Sequence, residues 1–298
     1  SLATAISGFA STAMHSAFYE LEENADTANR ANKSKTQFMA DMSHELRTPL
    51  NGVIGMSGLL MQSDLDPKKR EFAEIINKCS KNLFGILEDV MDISKLDSDR
   101  FAIQEQDFNL QKLLTSIVDL HRPAAIDKEI ALDLNYPKLL PAYYSGDKGL
   151  IRKIINNLVS NALKFTAEGS ACINVLGAMQ GAETNIDGEI ANEICRLSIA
   201  VTDTGIGIET ENLENIFERF TQLDQRLSRD QDGTGLGLPI SREMAELMGG
   251  TLSVITKPGQ GASFTLTLNL PVAVVFEDMA LSDETQDMPA SNVIRLRA

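Results

Sequence analysis

The sequence predicts a protein in two parts: a helical hairpin that pairs with a second copy into a four-helix bundle, and then a two-layer α/β sandwich. Three observations predict this α plus α/β class. The chain has 298 residues, enough for two domains of ordinary size. Apolar residues recur at heptad spacing through its first third. From about residue 100 onward, short apolar strands alternate with helical segments.

The first heptad series follows one predicted helix from Met14 to Leu60, with steps that alternate between four and three residues. Pro49 lies inside this helix and is expected to kink it, because proline removes one backbone donor. Asp66 and Pro67 then predict the start of a second helix, as the N-cap and the first helical residue.

The second helix repeats the heptad pattern from Phe72 to Ile93. Each helix has an apolar stripe that an isolated hairpin cannot bury fully, so we expect residues 32–100 to form a homodimeric four-helix bundle. Residues 1–31 would precede it as a coiled-coil signalling helix. A coiled-coil spacer without chemistry is the alternative interpretation.

Residues 101–272 are predicted to form the sandwich, and residues 273–298 an acidic linker or tail. The predicted strands are 101–104, 130–134, 171–176, 196–202, 251–255 and 263–268, and the predicted helices are 110–126, 149–162, 210–216 and 238–248.

The composition, with 43% hydrophobic and 23% charged residues, is that of a globular protein. The formal net charge of −15 disfavours nucleic acid and anionic membranes as partners, since both are negatively charged. The three cysteines lack metal-ligand spacing, so we expect free thiols and a cytoplasmic location. No apolar run is long enough for a membrane span.

His44 belongs to the segment SHELRTPL, residues 43–50. It follows Met42 of the heptad series by two positions, about 200° around the helix, and should therefore face solvent. A neutral imidazole is a nucleophile at physiological pH, and the adjacent Glu45 can orient it or accept its proton. An exposed histidine beside a glutamate is, however, more often a solvated pair.

A second polar segment places Asn157, Asn161 and Lys164 at positions i, i+4 and i+7, on one face of a predicted helix. Amide oxygens are hard ligands that suit Mg²⁺, and the ammonium group can contact a phosphate. The alternative is an ordinary polar helix face in water.

A third segment, DTGIG at residues 203–207, directly follows an apolar strand. The carboxylate of Asp203 at the strand end can accept a hydrogen bond from an exocyclic amine such as that of adenine. Gly205 and Gly207 permit tight turns and close approach of a ligand. This pattern by itself most often marks a simple turn.

Further along, Phe217 and Phe220 precede the glycine-rich segment GTGLG, residues 233–237, which leads into a predicted helix. Free N–H groups at a helix N-terminus can bind phosphates without a basic patch. The polar residues 221–232 between them, which include Arg226 and Arg229, are expected to form a flexible lid.

Together these segments resemble the sensor histidine kinases of two-component signalling, over roughly residues 30–271. Residues 43–50 are similar to the H box of that family, and residues 156–165 to its N box. Residues 203–208 resemble the G1 box, and the two phenylalanines and residues 233–237 resemble the F and G2 boxes. One departure is Thr221-Gln222, where many relatives place an arginine that contacts the γ-phosphate; Arg226 or Arg229 could replace it.

The resemblance implies a dimeric phosphoacceptor bundle followed by a Bergerat-type ATP-binding sandwich. It implies that His44 carries a phosphoryl group, that Glu45 assists the transfer, and that Thr48 positions water for dephosphorylation. It also implies ATP with Mg²⁺, the metal being held by Asn157 and Asn161. The residues implied around the nucleotide are Asn157, Asn161, Lys164, Asp203, Gly205, Gly207, Phe220, Gly233, Thr234, Gly235, Leu236, Gly237 and Ser263.

The implied partners are a second copy of the chain and a response-regulator receiver domain, either separate or fused beyond residue 298. Because the chain begins with Ser1, we expect a fragment that lacks an upstream sensor domain, and membrane anchoring of the parent protein is left open. The alternative function is a signalling scaffold that is catalytically silent or dominated by phosphatase activity. Two experiments separate these alternatives. The net flow of phosphate in Thr48→Ala tests for a phosphatase-dominated protein, and incubation with γ-labelled ATP tests for a catalytically silent scaffold.

Overall fold

The structure is a computed structural model that describes residues 42–43, 45–97, 102–180, 193–221 and 234–273. The predictions for His44, the helix of residues 1–31, the lid, Gly233 and the tail beyond residue 273 lie outside the described residues. The described residues divide into two compact units. We call residues 42–102 with 234–240 the helical unit, and residues 103–221 with 241–273 the sheet unit.

The helical unit contains two long helices, α1 (residues 45–62) and α2 (Pro67–Leu96). Helix α1 continues through Pro49. The predicted start of α2 is confirmed, because the carboxylate of Asp66 accepts a hydrogen bond from the Lys69 N–H at 3.1 Å and Pro67 is the first helical residue. Arg70 closes the connection by donating to the Met61 carbonyl at 2.9 Å.

A polar contact joins α1 to α2. The side-chain amide of Asn77 donates to the Ser57 hydroxyl at 2.8 Å and to the Ile54 carbonyl at 3.1 Å. Asn77 and Ser57 are both buried, with 7% and 3% of their surface exposed. A buried amide with satisfied donors fixes the register of packed helices, since sliding would leave its N–H groups unpaired.

The residues buried in this hairpin lie one position after the predicted heptad stripe. Ala73, Asn77, Ser80 and Met91 are buried, and they follow the stripe residues Phe72, Ile76, Cys79 and Val90. The predicted stripe is instead largely exposed within one chain. We call the following residues the exposed seam: Leu46, Val53, Met56, Leu60, Phe72, Ile76, Leu83 and Ile86.

The strands of the sheet unit are β1 (Gln106–Asn109), β2 (Ile130–Asn135), β3 (Tyr143–Gly146), β4 (Gly169–Gln180), β5 (Ile194–Asp203), β6 (Thr251–Thr256) and β7 (Ala262–Pro271). Five of them form a sheet with the strand order β2-β4-β5-β7-β6, in which β2 is parallel to β4 and the other pairs are antiparallel. A separate antiparallel ribbon pairs β1 with β3. The remaining helices are α3 (Leu110–Asp127), α4 (Lys148–Phe165) and α5 (Gly237–Leu247).

Helices α3 and α4 contact each other and pack against the sheet. Ile117, Ile151 and Ile155 of the helices, and Ile173 and Leu197 of the sheet, are fully buried in this core. The strands alternate between buried and partly exposed positions, so the fold is the predicted two-layer sandwich. Within the described residues, no helix combines the length and the apolar composition that a bilayer crossing requires.

Two predicted elements were wrong, and one strand was not predicted. Residues 102–104 are not a strand; the first strand, β1, begins at Gln106. Strand β3 was not predicted, because it is short and lies next to turn residues. The predicted helix over residues 210–216 is replaced by two 3₁₀ turns, Thr210–Asn212 and Asn215–Phe217. Asparagine has a low helix propensity and favours such turns.

Candidate functional site

The carboxylate of Asp203 ends the buried face of β5. Burial alternates along this strand, and Asp203 is its last inward-facing residue, with 7% of its surface exposed. Its Oδ1 accepts hydrogen bonds from the Gly205 N–H at 2.8 Å and the Ala262 N–H at 3.4 Å. The hydrogen bonds described for this carboxylate within the described residues all end on Oδ1, so Oδ2 can accept one from a ligand.

Burial raises the pKa of Asp203 above its usual value of 3.8, and the N–H groups of Gly205 and Ala262 partly oppose this by stabilising the carboxylate. In this environment the carboxyl group is stabilised either by binding a proton or by accepting a hydrogen bond from a ligand. Such a combination of burial, backbone anchoring and a raised pKa is typical of a functional position.

Two glycines allow the backbone to pack tightly around Asp203. A Cβ atom at Gly261 (φ +80°) would overlap the Asp203 carbonyl oxygen, and one at Gly207 (φ +66°) would overlap the Lys257 carbonyl oxygen. Only glycine adopts these left-handed conformations without strain. The turn of residues 203–208 and the β6–β7 loop of residues 257–261 therefore form one closely packed support.

Hydrogen bonds join the same two segments. The Gly259 N–H donates to the Ile206 carbonyl at 2.7 Å. The Thr256 hydroxyl accepts from the Ile208 N–H at 2.9 Å and donates to the Gly261 carbonyl at 2.8 Å. Sequence reasoning missed Thr256, because a threonine in a strand carries no signal that distinguishes it from a surface residue.

The end of α4 adjoins this turn. The Phe165 carbonyl accepts from the Ile206 N–H at 3.4 Å, and a Cβ atom at Gly205 would overlap that same carbonyl oxygen. The structure therefore brings the C-terminal end of α4, which carries Lys164, next to the segment that begins at Asp203. The ammonium group of Lys164 lies 5.0 Å from the centre of the Phe165 ring.

The predicted metal residues lie one turn apart on α4. The amide nitrogen of Asn157 donates to the hydroxyl of Ser241 on α5 at 2.9 Å, and Asn161 donates weakly to the Asn157 carbonyl oxygen at 3.5 Å. The hydrogen bonds described for Asn161 leave its own carbonyl oxygen available. Ser241, which is 2% exposed, was missed because its role depends on contact with a distant helix.

This donor set fits Mg²⁺. The ion takes few protein ligands and keeps water and phosphate oxygens in its coordination shell, which suits one or two amide oxygens. Within the described ranges, no group of three or more His, Cys, Asp or Glu side chains lies together to hold a metal ion.

The structure does not bring Ser263 into this cluster. Ser263 pairs with Thr202 across β5 and β7, and their hydroxyl groups are 2.8 Å apart. Successive side chains of a strand point to opposite faces of the sheet, so Ser263 faces away from the side on which Asp203 lies. Its neighbour Ala262 contributes instead, through the N–H that donates to Asp203.

The glycine-rich segment begins α5 and belongs to the helical unit. Gly235 has a φ of +69°, Leu236 is buried and α5 starts at Gly237. The Thr234 hydroxyl donates to the carboxylate of Asp89 on α2 at 2.9 Å, and it accepts from the Leu236 N–H at 3.1 Å. Gly233 lies outside the described residues.

Phe220 has an unusual conformation for an aromatic residue. Its φ is +66°, and 70% of its surface is exposed. The other phenylalanine of the motif, Phe217, lies under the guanidinium of Arg242 at 5.2 Å.

Of the H-box residues, Glu45 and Thr48 are both exposed on α1. They are three residues apart, so they lie on one side of the helix. His44, between Ser43 and Glu45, is outside the described residues.

Two families match the chain. The His Kinase A (phospho-acceptor) domain matches residues 34–99. The family described as the histidine kinase-, DNA gyrase B-, and HSP90-like ATPase matches residues 146–272.

Similar proteins carry the names of signalling kinases. The sensor protein GacS of Pseudomonas syringae pv. syringae is 39% identical over 254 residues, which cover 85% of this chain and 27% of that protein. The signal transduction histidine-protein kinase BarA of Escherichia coli K12 is 36% identical over 251 residues, 84% of this chain and 26% of that protein. The chain thus spans about a quarter of the length of these relatives.

A crystal structure of full-length ShkA in complex with AMPPNP has a similar fold. The TM-score is 0.63 and the sequence identity is 30%, with 80% of this chain and 47% of that chain covered.

We predict that Gly261→Ala weakens nucleotide binding by at least about tenfold, because a Cβ atom there displaces the backbone of Asp203. Gly259→Ala is the matched control: it has a similar φ of +74° but no atom within 4 Å of the added Cβ. It should cost about 1 kcal/mol of stability and leave the affinity nearly unchanged. Calorimetric titration with an ATP analogue distinguishes the two, and equal losses would contradict the steric argument.

We predict that Asp203→Asn raises the melting temperature at pH 7 while weakening adenosine binding. The asparagine Oδ1 can keep both backbone donors, but its amide group replaces the acceptor Oδ2 with a donor. The pKa of this carboxyl is higher in the folded than in the unfolded chain, so its ionisation lowers the free energy of unfolding. At neutral pH the carboxyl is ionised in both states, and the folded state carries the whole of this cost. The penalty vanishes as the pH falls through the raised pKa towards 3.8, so the thermal gain should shrink in acid.

Asp133→Asn, at an exposed position of β2, is the control and should change neither measurement. A lower melting temperature for Asp203→Asn at pH 7, or unchanged adenosine affinity, would refute the role given to this carboxylate.

Proposed function

The chain belongs to the sensor histidine kinases, and from that premise we propose that it is an ATP-dependent autokinase that phosphorylates His44 and passes the phosphoryl group to an aspartate of a receiver domain. The observation that carries this proposal is the arrangement around Asp203. Within the described residues, the hydrogen bonds to this buried carboxylate all end on one oxygen. Its turn contacts the C-terminal end of α4, the helix that carries two amides and a lysine at positions i, i+4 and i+7. This combination suits a ligand with an amine at one end and phosphates at the other.

In this proposal the exocyclic amine of adenine donates to Oδ2 of Asp203. Asn157, Asn161 and Lys164 contact the phosphates. The phosphate-binding role of the N–H groups around Gly235 and Gly237, at the N-terminus of α5, rests on the resemblance to the kinase family alone. Mg²⁺, held by the amide oxygens of Asn157 and Asn161, supplies charge neutralisation on the triphosphate when it is bound. The chain thereby holds an anion despite its net charge of −15.

The proposed transfer is an in-line displacement. An imidazole nitrogen of His44 forms a bond to the γ-phosphorus, the bond from that phosphorus to the bridging oxygen breaks, and ADP leaves. Glu45 accepts the proton from the other imidazole nitrogen. Catalysis then consists mainly of positioning and charge stabilisation, as in other phosphoryl transfers.

The P–N bond of phosphohistidine breaks readily, so the phosphoryl group can pass to the carboxylate of a receiver aspartate. Thr48 lies one turn beyond Glu45 on the exposed side of α1, which supports a second role in positioning water for dephosphorylation of that aspartate. The cytoplasmic location expected from the cysteine pattern remains part of the same proposal.

We also propose a homodimer formed through the exposed seam of α1 and α2. Leu83 is 53% exposed and Phe72 is 52% exposed in the single chain, and both lie on heptad positions. Pairing two hairpins through this seam buries the apolar surface that one hairpin leaves in water. An isologous two-fold contact of this kind is the commonest form of assembly.

We predict that the chain incorporates label from γ-labelled ATP and that His44→Gln abolishes it. The label should be lost in acid and retained in base, because the P–N bond is acid-labile. His121→Gln is the matched control, since His121 lies on α3 and its partner is Asn156. Label that survives in His44→Gln would refute the proposal.

We predict that Ile76→Glu converts the dimer to a monomer, because it places two like charges in the seam. Lys78→Glu adds the same side chain two residues later, on the opposite side of α2. The molar mass of the assembly in solution should then remain that of a dimer. Light scattering at matched concentrations measures both. A dimer that persists in Ile76→Glu, with native helix content, contradicts the proposed interface.

A further inference from the structure

An ion pair joins the segment that contains Phe220 to helix α5. The guanidinium of Arg219 donates to Glu243 through Nε at 3.1 Å and through Nη2 at 2.9 and 3.0 Å. Both side chains are about two-thirds buried, with 35% and 31% exposed. An arginine that holds a carboxylate through two nitrogens is oriented as well as attracted, because its planar fork matches the two oxygens.

This pair differs from ion pairs that lie within one helix. Arg122–Asp119 on α3 and Arg242–Glu246 on α5 join residues three or four positions apart, and their side chains are 47–59% exposed. Exposed pairs of this kind contribute little to the stability of a helix. Arg219 and Glu243 instead connect two different elements, so their contact sets a tertiary position.

One neighbouring contact reinforces the connection. The Phe217 ring lies under the Arg242 guanidinium, whose carbon is 5.2 Å from the ring centre, which is a cation–π distance. Residues 217 and 219 are therefore both held against α5, one by an aromatic contact and the other by a charged contact.

The next residue, Phe220, is the one in the left-handed conformation. For a bulky side chain this conformation is strained, and a ring that is 70% exposed recovers little of the cost by burial. Such backbone strain persists only where neighbouring contacts impose it. The contact at the preceding residue is the bidentate pair of Arg219 with Glu243.

We propose that Arg219 and Glu243 are positioning residues for nucleotide binding: their ion pair sets the place of Phe220 relative to α5. Glu243 lies six residues after Gly237, about 9 Å along the helix that starts at the glycine-rich segment. In the proposed function, on which this inference rests, the N-terminus of that helix binds the phosphates. Breaking the pair should therefore weaken binding of the triphosphate and spare binding of the adenine end at Asp203.

The test is a charge-swap cycle. Arg219→Glu and Glu243→Arg each place like charges together, and the double variant restores an opposite-charge pair with reversed polarity. Titration calorimetry measures binding of AMPPNP with Mg²⁺ and, separately, of adenosine, which lacks phosphates. Arg122→Glu breaks an ion pair on α3 and is the matched control. Thermal unfolding of every variant accompanies the titrations.

We expect each single variant to weaken AMPPNP binding roughly tenfold and adenosine binding less than about twofold, with the double variant recovering to within about threefold of the original chain. Arg122→Glu should leave the affinities for AMPPNP and for adenosine unchanged. Arg219→Lys keeps the positive charge but loses the planar guanidinium. Its AMPPNP affinity should lie between those of the original chain and Arg219→Glu, so it tests the inference even if a charge-reversal variant does not fold.

Unchanged AMPPNP affinity in both single variants would overturn the inference. Equal losses for adenosine and AMPPNP would do so as well, because they would indicate general damage to the domain. Failure of the double variant to recover is the third opposing result. If the original chain binds neither ligand, the proposed function itself fails, and this outcome is distinct from the other three.

Discussion

The rest of the site depends on one constraint: a carboxylate is held at the buried end of a strand. Asp203 continues the inward alternation of β5, so its side chain lies against the apolar core. The N–H groups of Gly205 and Ala262 compensate this burial at one oxygen only. The close packing of Gly205, Gly207 and Gly261 follows from this constraint, because any side chain at those positions would push the donors away.

A different constraint applies to the helical unit, because a single hairpin cannot bury all of the apolar surface of its two helices. Each helix has two adjacent stripes at heptad spacing. One stripe is used inside the hairpin, where Asn77 and Ser57 set the register, and the other is left exposed. Four-helix bundles use helices of this kind, since an apolar face about 100° wide can contact two neighbours.

The elements that the sequence predicted well are the long periodic ones. Helix α4 and strand β5 extend the predicted ranges by only one to three residues at each end, and the cap at Asp66 was found from a local pattern. The failures concern short segments. Strand β1 contains a single buried apolar residue, Phe108, and such a strand has no periodicity to detect. Its burial depends on contacts made with distant parts of the chain.

The sequence by itself determined the class of the fold, the start of α2, the extent of α4 to within three residues, and the family that the chain resembles. These follow from periodicity and from local motifs, which act over a few residues. Only the tertiary structure decided which face each residue occupies. In the structure, the side chain of Ser263 lies on the opposite face of the sheet from Asp203, and it is the N–H of Ala262 that donates to Asp203. The buried contacts of the hairpin lie one position after the predicted heptad stripe. The physical reason is that strand and helix faces are set by pairing and packing with partners far away in the sequence, and a shift of one residue changes the face.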